Sequence, residues 1–169
     1  MSFIEMIDLV SQDDSTVIST IPKQQLYQTK RCNFRVINGF VINQDNKLWI
    51  PTRSASKTLF PSCLDCSVGG HVQSGESYFA AFVRESKEEL RLDPEQLPHQ
   101  LLMKLSPYSD GTSAFMHVYA LYFNAEVPFN PDDFSSGEWL LPKHALAKIT
   151  QGHPAKSDLP ILLQRYICL

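Results

Sequence analysis

The feature that most constrains this chain is one stretch of helical period, Ser77 to Leu90, in a sequence that otherwise reads largely as strands. At about 100° per residue with Glu85 at zero, Glu88 falls at about 300° and Glu89 at about 40°, so three carboxylates share a narrow face. Phe79, Phe82, Val83 and Leu90 lie between about 60° and 160° on the same wheel, and an apolar stripe for the core therefore runs beside the acidic one. Arg84, Lys87 and Arg91 occupy the remaining side.

Around that helix, runs rich in β-branched and aromatic residues predict strands at 3–10, 16–21, 34–43, 47–51, 66–69, 100–106, 114–124 and 138–141. Two further helices are expected at Pro142 to Ile149 and Asp158 to Ile167, with Pro142 and Pro160 near their starts, where a missing N–H costs least. The Pro, Gly, Asp and Ser-rich pieces at 106–113 and 128–137 read as loops. Many strands with a few interspersed helices imply an α/β chain, a mixed sheet covered on its faces by helices. At 169 residues the expectation is one domain spanning 1–169, with 1–33 as N-terminal strands and extension.

Composition narrows the partners. A formal charge of −3 leaves no clustered basic surface of the kind that neutralises phosphates along a nucleic-acid polymer. Apolar runs such as Ala114 to Phe123 are too short and interrupted to span a bilayer, and the start MSFIEMIDL carries acids where a signal peptide is basic, so no membrane role and a cytoplasmic location are expected. Four cysteines, Cys32, Cys63, Cys66 and Cys168, are too few for a disulfide scaffold. Cys63 and Cys66 form a single CxxC with neither a second pair nor histidines at finger spacing, so reduced thiols are the expectation.

A charge run is usually a solvated face. Here, however, Glu85 meets Glu88 at i+3 and Glu89 at i+4, like-charge contacts that each cost a few tenths of a kcal/mol. Acid clustering of this kind suggests a bound cation, and hard divalent ions such as Mg²⁺ take a few carboxylates and complete their shell with waters or phosphates.

The stretch from Gly69-Gly70-His71 through Glu76 to Arg84-Glu85-Ser86-Lys87-Glu88-Glu89-Leu90 resembles the signature of the Nudix hydrolase superfamily. Gly70, Glu76, Arg84, Glu85, Glu88, Glu89 and Leu92 match seven of its nine specified positions, odds below roughly one in a million at a given start. Ser86 stands where an aliphatic residue is expected and Arg91 where glycine is. Ser86 points into the apolar stripe, and its hydroxyl is expected to bond back to the preceding turn. Arg91 makes a left-handed cap cost about 1–2 kcal/mol, so the helix is expected to end differently, near Asp93-Pro94.

The resemblance implies an α/β/α sandwich over roughly Ile37 to Ile149, with 70–92 as loop, helix and loop. It also implies hydrolysis of a small-molecule diphosphate with Mg²⁺ or Mn²⁺. It assigns metal binding to Glu85, Glu88, Glu89 and the carbonyl of Gly70, an orienting role to Arg84, and a supporting one to Glu76. Which acid is the general base stays open between Glu85 and a loop carboxylate. Arg53 and Lys57 resemble the bases that precede the box in the branch containing isopentenyl-diphosphate isomerase, and their charge suits phosphate contacts. Asp133, with Asp132 and Glu138 nearby, is a candidate further carboxylate, and His71 resembles that branch's metal-liganding histidine. His117 reads as a strand residue, and His99, His144 and His153 as surface positions.

An isomerase is the competing enzyme, but its reactive cysteine precedes the Gly-His pair, where this chain has Gly69, and Cys66 comes three residues too early. The isomerase's second acid is missing from Ser113 to Tyr119. A non-catalytic nucleotide-binding module would be marked by loss of the carboxylates, and all are present. Oligomeric state is open, a homodimer included.

Overall fold

A computed structural model describes residues 4–169; the first position of the expected strand 3–10 lies outside them. In chain order the elements are β1 (Met6–Val10), β2 (Val17–Pro22), α1 (Lys23–Thr29), β3 (Arg35–Ile42), β4 (Leu48–Arg53), β5 (Val68–His71), α2 (Tyr78–Leu90), β6 (His99–Leu105), β7 (Phe115–Tyr122), β8 (Phe134–Leu140), α3 (Pro142–Thr150) and α4 (Leu159–Ile167), with a 3₁₀ turn at Pro94–Gln96.

β3 is the centre. Its residues alternate between two cores: Ile37 and Val41 pack with α2 residues Ala81, Phe82 and Leu90, whereas Phe40 and Ile42 pack with Ala145 of α3 and Leu159, Leu162 and Leu163 of α4. The period of two along a strand thus serves two helical layers, and the fold is the expected α/β/α sandwich around a mixed sheet. Strands run in the order β6-β7-β3-β4-β8, with β7 parallel to β3 along its length and the other pairs antiparallel.

The other edge of β3 is shared. β4 pairs with it at Ile42↔Leu48, while β5 pairs with Val36 to Gly39. Between these two partners the sheet forks, and buried Ser67 bridges the gap: its hydroxyl accepts from Val41 N at 2.8 Å and donates to Trp49 O at 2.5 Å.

β1 and β2 form a separate hairpin that sits on the turn leading into α2 through Ser74 N→Met6 O (2.8 Å) and Gly75 N→Asp8 Oδ2 (3.1 Å). A third core of Ile7, Leu9, Leu26, Phe34 and Ala114 joins the hairpin and α1 to β3.

Three expectations are corrected. The piece 128–137 is not all loop, because β8 starts at Phe134; Gly137 sits in it since a Cβ there would overlap the Trp49 indole. Arg91 does adopt the left-handed conformation (φ 53°, ψ 23°), ending α2 as a glycine would. Its strain is offset by Arg91 N→Lys87 O (3.2 Å) and Leu92 N→Ser86 O (3.3 Å), with Leu92 buried beyond. Finally, the Ser86 hydroxyl is fully buried and makes no hydrogen bond among the described residues, so it does not bond back to the preceding turn.

Candidate active site

Ser77 caps α2 by accepting from Ala80 N at 3.1 Å, which starts the helix where Arg84, about two turns on, faces back towards the preceding turn. Arg84 is the hub. Its Nε and Nη2 grip Glu76 at 2.9 and 3.0 Å, Nη2 also donates to the His71 carbonyl at 2.9 Å, and Nη1 donates to Glu85 Oε1 at 2.7 Å. Burial alone would lower the pKa of Arg84, but its bond to Glu76 and the charge of Glu85 raise it. Glu76 in turn accepts from Gln73 N at 3.0 Å, so the turn 73–76 and the helix are tied together.

Glu85 lies against β5 so closely that a Cβ at Gly70 would overlap its carboxylate; glycine there is a requirement of close approach. Glu89 accepts from Gly69 N at 3.0 Å. Burial pushes the Glu89 carboxyl well above the ordinary Glu range, with the Glu85 charge adding to it, and burial raises Glu85 against the opposing pull of Arg84. Glu88, by contrast, is 59% exposed and stands 3.6 Å from Arg84 Nη1.

Glu85, Glu88 and Glu89 border a cavity of 550 Å³ that also receives Gly69, Gly70, His71, Asp133, Arg53 and Lys57, whereas Arg84 and Glu76 lie behind its lining. Arg53 is tied to Asp65 (2.7 Å) and to the carbonyls of Leu59 and Phe60, holding the loop after β4. Lys57 forms an ion pair with Asp133. His71 stacks on Phe34 with centroids 5.6 Å apart, and burial, helped by Lys23 and Lys156, pushes its pKa down to about 3, leaving a neutral imidazole. Asp132 and Glu138 are exposed and stand apart from the cavity lining; Glu138 pairs with Lys148.

His117 lies elsewhere, stacked on Tyr78 at 3.6 Å. All four cysteines are free thiols; Cys66 is buried, and that burial pushes its pKa up.

The cavity also holds residues that sequence reasoning missed: Lys23, Tyr27, Lys30 and Arg31 from α1 and the segment after it, and Lys156 ahead of α4. Their charges were visible, but nothing in a single sequence ties scattered bases to a distant glutamate stripe.

Among the described residues no three His, Cys, Asp or Glu side chains converge closely enough to hold a metal ion as they stand. Glu85 is turned to Arg84, Glu89 to Gly69 N, and Glu88 to solvent. The donor set nevertheless suits a hard divalent cation in kind: two carboxylates made hard to ionise by burial and by a neighbouring glutamate each, beside a glycine strand with no side chains in the way.

The NUDIX domain family model matches residues 33–159. This chain belongs to the Nudix family. Nudix relatives extend the match through the N-terminal hairpin: an uncharacterized Nudix hydrolase of Nostoc is 46% identical over 166 residues, covering 98% of each chain. The crystal structure of a Deinococcus radiodurans protein is also 46% identical, covers 95% of this chain and 98% of its own, and superposes with a TM-score of 0.88. At lower similarity, the isopentenyl-diphosphate Delta-isomerase of Rhizobium rhizogenes is 31% identical over 78 residues, 46% of this chain and 37% of that one. The expected class, a Nudix-type pyrophosphohydrolase, holds, and Nudix hydrolases in general use divalent cations. Among the described residues no helix is long and apolar enough to cross a membrane.

Proposed function

We propose that the chain hydrolyses a diphosphate linkage in a small organic pyrophosphate, such as a nucleoside diphosphate derivative, in a reaction dependent on Mg²⁺ or Mn²⁺. One observation carries this reading: the carboxylates of α2 and a set of lysines and arginines border the same cavity. A diphosphate is an anion that repels hydroxide, so its hydrolysis needs positive charge on its oxygens and a base for the water.

Glu85, Glu88, Glu89 and the Gly70 carbonyl would hold the cation, with Asp133 and the neutral His71 as further donors. When bound, it would neutralise phosphate oxygens and make a water more acidic. Arg84 keeps Glu85 aimed by a 2.7 Å bond and is itself fixed by Glu76. Glu85 and Asp133 both border the cavity, and either can take the proton of the attacking water. Lys57 and Arg53 would meet phosphate oxygens, Lys57 by exchanging Asp133 for substrate. The four free thiols support a reducing, cytoplasmic setting.

An isomerase is disfavoured by specific geometry. Where that enzyme carries its cysteine, a Cβ on Gly69 would meet Asn38 Oδ1 at 2.7 Å, and Cys66 lies in the core that packs under α3 and α4.

The test is a panel of nucleoside triphosphates, nucleotide sugars, dinucleotide cofactors, ADP-ribose and coenzyme A, assayed with Mg²⁺ and then Mn²⁺. On any substrate found, Glu89→Gln and Glu88→Gln are each expected to cut turnover by roughly a hundredfold or more with the fold intact. Near wild-type turnover in both at saturating metal would overturn the assignment.

A further inference from the structure

Lys156 stands next to the carboxylate end of the cavity, and its ion pair among the described residues is a long one to an acid it shares with Arg53. Its Nζ lies 3.6 Å from where a Cβ on Gly69 would be, and Gly69 N is the group that donates to Glu89. The nearby acid is Asp65, 3.6 Å away and beyond hydrogen-bonding distance. Both Asp65 oxygens have nearer donors: Oδ1 accepts from Cys66 N at 2.8 Å and Oδ2 from Arg53 Nη1 at 2.7 Å. One carboxylate therefore serves two cations, and the trio carries a net charge of +1 with Asp65 only 5% exposed.

The position of this amine is built rather than incidental. Lys156 N donates to Leu64 O at 2.9 Å and Leu64 N to Pro154 O at 2.9 Å, so the lysine's backbone is pinned to the segment ahead of β5. Its side chain is 25% exposed and is part of the cavity lining. Burial disfavours the Lys156 ammonium, but the charge of Asp65 opposes that effect and holds it in its charged form, and a bond from it to an arriving anion would be charge-assisted and of the strong kind.

We propose that Lys156 binds a phosphoryl group of the substrate, beside the phosphate that the α2 carboxylates address through their cation. The inference rests on the diphosphate reading of the cavity. It makes Lys156 a substrate-binding residue, and it makes Asp65 a holder that steadies Arg53 and leaves the lysine's charge available.

The probe is methylenediphosphonate, whose P–C–P bridge is not hydrolysed, titrated calorimetrically into the full chain with Mg²⁺. Lys156→Met should weaken its binding by about tenfold or more and Lys156→Arg by no more than about threefold. The melting temperature of ligand-free Lys156→Met should not fall, because Asp65 keeps Arg53. If Lys156→Met does not fold, the proposal is overturned as stated, since the lysine is then structural. A second measurement needs no variant: methylenediphosphonate should shield Lys156 of the wild type from acetylation by acetic anhydride, read by peptide mass spectrometry. Probe bound equally by wild type and Lys156→Met, with no shielding, refutes this inference alone; no probe binding by the wild type refutes it together with the diphosphate reading.

Discussion

Replacing Ser86 with alanine should make the protein more stable. The Ser86 side chain is fully buried against the core under α2, and its hydroxyl has no partner. A buried hydroxyl without a hydrogen bond carries a desolvation cost of about 1–3 kcal/mol. Alanine removes that cost and adds about 0.5 kcal/mol of helix propensity. Against this stands the loss of a few contacts made by one oxygen, at about 0.1–0.2 kcal/mol each. The net gain is about 1 kcal/mol or more, which for a chain of this size raises the melting temperature by about 2–4 °C per kcal/mol. Thermal unfolding and urea titration both read it, the latter as a higher midpoint at unchanged slope. A melting temperature lowered by more than about 2 °C would refute the reasoning, because it would mean that the hydroxyl is bonded in solution, as it would be if it reached the Phe82 carbonyl one turn back.

Because the folded-state pKa of Glu89 is raised above the ordinary 4.5, its contribution to stability is full below that value and is lost as pH rises through the elevated one. Metal-free wild type should therefore lose stability with rising pH more steeply than Glu89→Gln in chemical denaturation; equal slopes would show that Glu89 ionises freely. EDTA should abolish hydrolysis while leaving the melting temperature nearly unchanged, since all three cores close without the cation; a large drop on chelation would point to a structural metal instead. With isopentenyl diphosphate and Mg²⁺ the chain should form no dimethylallyl diphosphate. Gly69→Cys should not rescue that reaction, because β7 lacks the second acid; isomer above an apo control would reverse the ranking of the two enzymes.

Period and spacing make α2 readable in the sequence, because an apolar stripe recurs over about three turns beside a compact acidic one at Glu85, Glu88 and Glu89. The same signal was absent from α1: KQQLYQT buries only Leu26, and seven residues are too few to show a period. Phe134-Ser135-Ser136-Gly137 looked like loop because what suits it to β8 is a neighbour, the Trp49 indole occupying the space a side chain would need. Arg91 was misjudged for a related reason: local strain was legible, but the two hydrogen bonds and the buried Leu92 that offset it were not. In the site, the members inside the glycine-to-glutamate stretch could be found as a set, since their spacing is local. Lys156 and the α1 bases could not, because only the pairing of Lys156 with Leu64 and the packing of α1 with the hairpin bring them to the same cavity.

The fork in the sheet has a consequence for how such a cavity can change. One arm, β5 with α2, carries the carboxylates; the other, β4, carries Arg53 and leads into the loop with Lys57. The arms part at β3, and the Ser67 hydroxyl is the rivet between them, touching the backbone of β3 and of β4 at once. The angle between acid and base is accordingly a property of the sheet's interior rather than of the rim. Variation in α1 or in 54–62 retunes what fits the mouth while that angle stays put, whereas a change at Ser67, remote from any ligand, alters the gauge of the whole opening.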